Sequence, residues 1–238
     1  MIESEGFLSQ EMDGYIAAIR EAFAEEIRQC RQISSEATSQ LFRSGVDASS
    51  LPQLMAASFW TRCLSACQAT ILLGERGLNI EALALLRTAY EHLFFCGAIA
   101  NNPACLARIE GQDRAERIKQ AEKLQKNESV LQALSEEDCV LLDDFVRDTP
   151  KAKKQLSAFE AAKLGGMEGL YEGAYRTLSL VGTHSSYTTA GHAFGDSFED
   201  MRFGPSKEHL GMLFGLTRDC IGLGMQAMAP LLKGRPQS

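Results

Sequence analysis

The chain has 238 residues, 45% of them hydrophobic, enough for a sizeable core in one large domain or in a core with an appended arm. Its 31 acidic and 24 basic residues give a formal charge of −7, which argues against a dedicated, non-specific nucleic-acid binder but leaves room for a local basic pocket. Seven Cys behind an acidic, polar start with no hydrophobic run predict reduced thiols in a cytoplasmic protein.

The first predicted element is a long amphipathic helix from about Gln10 to Arg43. Tyr15, Ile16, Ile19, Phe23, Ile27 and Cys30 recur along it at spacings of one, three and four, and Ser44-Gly45 supplies a stop. Residues 1–45 form an arm whose outer face is acidic, with nine acidic and four basic residues through Asp47. Ser50 and Pro52 mark the entry to a second helix from about Leu51 to Gly74, which carries Leu54, Phe59, Trp60, Leu64, Ile71 and Leu72. Cys63 and Cys67 sit four apart on it. No further ligand follows at a suitable spacing, so they read as core thiols and no metal site is expected. Gly74 and Gly77 bracket a short turn, which predicts an antiparallel hairpin with the next helix.

That next helix, Leu78–Ala100, is the expected centre of the fold. It is rich in Leu, Ala and Phe, and a helix apolar on nearly every face is a buried one. Glu81, Arg87, Glu91 and His92 interrupt it, and Arg87 and Glu91 would each cost about 2.5–3.5 kcal/mol at a bilayer centre, so it reads as a core helix. Gly211–Leu232 is excluded as a membrane span in the same way by Arg218 and Asp219. No membrane partner is expected.

From Pro103 to Asn127 a polar, charge-balanced pattern carries one apolar stripe of Leu106, Ile109, Ile118 and Leu124. A weaker helix follows around Ser129–Phe145, with the acidic run Glu136, Glu137 and Asp138 and then Asp143 and Asp144, which lack the alternating ligands and turn Gly of a calcium loop. Lys151–Lys163 reads as a basic helix ending at Gly165-Gly166. Met167–Thr183 reads as helical, then the period fails from His184 to Ser206, a length of loop that is unusual in a compact domain. Phe194, Phe198 and Phe203 suggest that this loop packs down. The last helix is predicted over Lys207–Lys233, where Gly211, Gly215, Gly222 and Gly224 permit close helix approach. The fold class is therefore all-α, a helical bundle in a single domain around the helix at about residues 78–100.

Helical geometry sorts the polar groups of the core. Positions four apart sit about 40° from each other and positions five apart about 140°, so Arg87 and Glu91 share a face while Arg87 and His92 do not. Tyr175 and Ser179 share a face four apart, and His184 stands where the helical pattern ends. If the two helices pack together, Ser179 and His184 meet Arg87 and Glu91, and a His held by a carboxylate has the ingredients of a general base. It is equally an ordinary way to satisfy a buried ion pair.

The Arg87-x4-His92 spacing matches that of the HEPN helical ribonucleases. The stretches GLNIEALALLRTAYEHLFF and LYEGAYRTLSLVGTHSS resemble a bacterial all-helical family of unknown function, distantly HEPN-like, over roughly Phe59 to Ser186 within a core of residues 51–186. Its pattern of Arg-x3-Glu and then Tyr-x3-Ser-x4-His falls here on Arg87, Glu91, Tyr175, Ser179 and His184; His92 lies outside it. The resemblance implies a helical effector, in a defence or toxin setting by analogy, and brings no established activity. If the chain is an enzyme it is a metal-independent endoribonuclease without a cofactor. Arg87, Glu91 and His184 are then the catalytic candidates with His92 the weaker one, and Tyr175, Ser179, Ser185 and His192 the ligand-binding ones. The alternative is a non-catalytic domain that binds a partner or small anionic ligand around a buried Arg–Glu–His cluster. A homodimer is expected through the amphipathic arm and the Gly-bearing C-terminal helix, with RNA or a small anion as the ligand.

Overall fold

In a computed structural model the chain is all-α, and residues 2–47, 49–149, 156–182, 191 and 204–234 are the ones described here. The helices in chain order are α1 (Ile2–Glu5), α2 (Met12–Ala22), α3 (Ala24–Arg43), α4 (Leu51–Gly74), α5 (Asn79–Asn101), α6 (Leu106–Leu124), α7 (Glu128–Leu131), α8 (Glu136–Asp148), α9 (Ala158–Leu164), α10 (Glu168–Leu170), α11 (Arg176–Gly182) and α12 (Leu210–Met228). A wider π turn, Tyr171–Tyr175, joins α10 to α11. Ser44–Gly45 and Lys233–Gly234 pair as a minimal antiparallel ladder that ties the end of α3 to the end of the described chain.

The expected arm helix is broken. At Phe23 the backbone leaves helical geometry (φ −121°, ψ 32°), because the ring turns in to pack on Phe214, with ring centroids 6.0 Å apart. Met12, Ile19, Ile27, Cys30 and Ala37 face inward, whereas Tyr15 points out. α3 packs on α12 and α4, so both surfaces that motivated a dimer are largely used within the protomer.

The hairpin of α4 and α5 forms as its glycines predict. Gly77 closes the turn at φ +73°, and a side chain there would also stand 2.8 Å from Pro205, so the position needs glycine for both conformation and space. On α4 the buried positions Ala56, Trp60, Cys63, Leu64, Cys67, Ile71 and Gly74 recur at three and four, which aims one stripe at α5 and α12. α5 is buried without a break from Leu93 to Ile99, because α4, α9, α11 and α12 all pack against it. Fully burying each large apolar side chain, as at Leu86, Leu93 and Phe94, contributes about 1.5–3 kcal/mol. The ionisable groups of α5 are less enclosed than its composition suggests: Glu81 is exposed, and Arg87, Glu91 and His92 are half-buried.

Elsewhere boundaries shift for local reasons. The acidic run Glu136, Glu137 and Asp138 occupies the first turn of α8, where Ser135 caps the helix and negative charge complements the helix dipole. The basic helix expected from Lys151 begins, among the described residues, only at Ala158, because Ser157 and Glu160 form a reciprocal capping box. α12 starts at Leu210 after His209 adopts a left-handed conformation (φ 61°), and it stops at Met228, just before Pro230. Of its glycines, Gly224 makes the close approach: a Cβ there would stand 2.0 Å from the Trp60 ring, while nothing crowds Gly215. No described helix is long and apolar enough to cross a membrane.

Candidate functional site

α11 lies against α5 because its last residue lacks a side chain. A Cβ at Gly182 would sit 2.8 Å from the Ala84 nitrogen and 3.1 Å from the Leu83 carbonyl carbon, backbone atoms that cannot step aside. Docked this closely, the helix aligns Ser179 and Tyr175 with Arg87, one turn further along α5.

The Arg87 guanidinium then has three partners. Its Nη1 donates to Glu91 Oε2 at 2.9 Å, its Nε to Ser179 Oγ at 3.1 Å, and its Nη2 to the Tyr175 hydroxyl at 2.5 Å. Tyr175 in turn donates to Glu91 Oε2 at 3.2 Å, and Ser179 donates to the Tyr175 carbonyl at 2.9 Å. The guanidinium carbon also stands 4.7 Å from the centre of the Tyr175 ring, within cation–π reach. The network is polar but not sealed: 23% of the Arg87 side chain and 34% of the Glu91 side chain remain accessible.

Aromatic packing fixes the Tyr175 ring. Tyr171 stacks on it at 5.0 Å, Phe94 meets it edge-on at 5.6 Å, and Phe159 meets Tyr171 edge-on at 5.2 Å. The π turn places both tyrosines on this side of the helix, and such turns concentrate at functional sites. Burial, reinforced by the Glu91 carboxylate and opposed by Arg87, pushes the Tyr175 hydroxyl up to about 12, so at neutral pH it is a neutral donor. The arrangement can therefore offer a fixed cation and a carboxylate acceptor at one partly open edge, with the buried Tyr175 hydroxyl bonded to both.

His92 does not join it. Its ring centroid lies 6.0 Å from that of Phe59 on α4, and burial, helped by the Arg62 charge and opposed by Glu91, lowers its pKa. The five-residue spacing thus separates it from Arg87, as regular helix geometry requires. His184, Ser185 and His192, together with most of the expected loop at 184–206, lie outside the described residues.

A second polar cluster has no counterpart in the sequence reading. Glu75, just beyond α4, has a side chain only 2% exposed, and it receives Arg20 from α2 and Arg31 from α3, with shortest contacts of 2.7 and 2.5 Å. The two arginines are eleven residues apart, about 16 Å along a straight helix, so the break at Phe23 is what lets both reach one carboxylate. A groove of about 410 Å3 lined by Asp13, Arg20, Leu72 and Arg76 flanks it. The arginine spacing, three helical turns, was the available signal; the turn residue Glu75 offered none.

No curated protein and no solved structure matches the chain. Arg87, Glu91, Tyr175 and Ser179 all lie inside a stretch that a family model matches, residues 53–202, and on that match the chain belongs to the Family of unknown function (DUF5677).

Proposed function

We propose that the chain is a non-catalytic helical binding domain, in which the Arg87–Glu91–Tyr175–Ser179 network fixes α11 on α5 and its open edge receives a small anionic ligand. The carrying observation is Arg87, held by three partners yet partly accessible, a cation whose geometry is set before any ligand arrives. A guanidinium has five N–H donors, so two hydrogens remain beyond these three bonds for a ligand oxygen. Glu91 neutralises the charge and favours a ligand that also brings a hydrogen-bond donor.

A second reading is a HEPN-like, metal-independent endoribonuclease acting in defence or as a toxin. The same accessible Arg87 supports it, as a group that could stabilise phosphorane charge, with His184 as the base. His92 serves this reading less well, because it packs beside Phe59.

Calorimetric titration with inorganic phosphate and a nucleoside monophosphate, run beside an RNA-cleavage assay, separates the two. The binding reading expects a titratable site lost in Arg87→Met, with no cleavage. Cleavage that His184→Ala abolishes without lowering the melting temperature replaces it with the ribonuclease. Neither binding nor cleavage reduces the network to a structural clamp. The expected homodimer belongs to the same proposal, and a monomer by light scattering at micromolar concentration removes it.

A further inference from the structure

Three thiols far apart in sequence meet in the core. Cys63 and Cys67 share a face of α4, and α12 brings Cys220 across to them. The Cys63 and Cys220 sulfurs are 3.7 Å apart, and all three sulfurs lie within 4.8 Å of one another. Each residue is 0% exposed, and the contact of Gly224 with Trp60 is what lets α12 approach closely enough. Buried Cys30 is not part of the trio; its thiol donates to the Phe214 carbonyl at 3.1 Å.

We infer that Cys63, Cys67 and Cys220 form a binding site for a trivalent thiophilic metalloid, taken up as its neutral hydroxide such as arsenous acid. Three sulfurs bonded to one soft centre at about 2.3 Å stand about 3.4–4.0 Å apart, so the observed cluster needs to contract by no more than about 1.4 Å. Charge selects the ion. Three thiolates around zinc leave one negative charge and around copper(I) two, and a dry core penalises either. Structural zinc also takes a fourth ligand, which the trio does not supply.

A trivalent centre with three thiolates is neutral. Three thiols react with one metalloid trihydroxide: three metalloid–oxygen bonds break, three metalloid–sulfur bonds form, and each thiol proton leaves in one of three waters. No oxidation state changes, and neither base nor counter-ion is needed. The product joins α4, inside the family-matched stretch, to α12, outside it. Because the thiols are sealed, uptake waits on local opening of α12 and is slow.

The test uses the reduced full chain and sodium arsenite, read by native mass spectrometry and thermal melting. The expected result is one arsenic per chain with three hydrogens lost, slow uptake and a raised melting temperature. The adduct should vanish in Cys220→Ala and in Cys67→Ala, each first shown to be folded by circular dichroism, and persist in Cys139→Ser. The proposal is overturned by an adduct retained in either folded variant. It is equally overturned by no adduct after incubation long enough for α12 amides to exchange, or by zinc chloride raising the melting temperature more than arsenite does.

Discussion

Glu75 allows a sharp test of how the arm is held. Its carboxylate is almost fully enclosed, whereas the side chains of Arg20 and Arg31 are 54% and 56% exposed. The two sides of the cluster therefore respond differently to mutation. Arg31→Met keeps an aliphatic stem over the core and leaves Arg20 on the carboxylate, so its cost is that of charge-assisted hydrogen bonds, about 1.5–3 kcal/mol. Adding Arg20→Met strands a buried, uncompensated charge, and the total loss should reach about 3–5 kcal/mol. Adding Glu75→Leu to that double variant removes the stranded charge and should recover much of the loss. Urea unfolding followed by far-UV circular dichroism at neutral pH measures all three. A double variant within about 1 kcal/mol of the parent, the range of a surface pair, would refute the burial on which the reasoning rests.

At the Arg87 network, Arg87→Met loses three bonded partners and should cost about 2 kcal/mol, while Glu91→Leu leaves Arg87 with Tyr175 and Ser179 and should cost about 1 kcal/mol; the reverse order in chemical denaturation would contradict the network. Gly182→Ala should destabilise by about 1–3 kcal/mol, because the new methyl meets α5 backbone, and an unchanged thermal melt would mean α11 is not docked there. His92 has a lowered pKa when folded, so its contribution to stability is present above the ordinary histidine value of 6.5 and is lost as pH falls through the folded value. His92→Gln should remove that part of the acid sensitivity, and identical pH–stability curves for parent and variant would show that burial does not act on His92.

The helices were largely legible because periodicity and Gly or Pro punctuation act locally. Leu51–Gly74 is found at the expected bounds, and the central helix shifts by a single residue at each end. Features set by distant partners were not legible. The break at Phe23 exists because its ring finds Phe214, nearly two hundred residues later, and no local signal in the arm announces it. The π turn at Tyr171–Tyr175 likewise serves an aromatic stack with Phe94 and Phe159 that only the packed core reveals. Capping at Ser157 was readable from its Ser-x-x-Glu pattern, but the charge of the preceding lysines concealed it.

The polar core divides along the same line. Arg87 and Glu91 were recognisable as a pair because one helix fixes their spacing, and the same rule separated His92 from them. That Tyr175 and Ser179 would be their partners depended on a helix contact that Gly182 permits, and a glycine before a loop reads first as a stop signal rather than as a docking point. How enclosed the pair is could not be read from α5 at all. Apolar neighbours along a helix suggest full burial, but burial at a position depends on what packs over it, and at Arg87 the cover is α11, which leaves an edge open. On the binding reading proposed above, that open edge makes α11 the element that shapes the ligand site. A fully enclosed ion pair could only hold two helices together, whereas an Arg87 fixed by Tyr175, Ser179 and Glu91 with 23% of its side chain still accessible leaves room for the ligand proposed above.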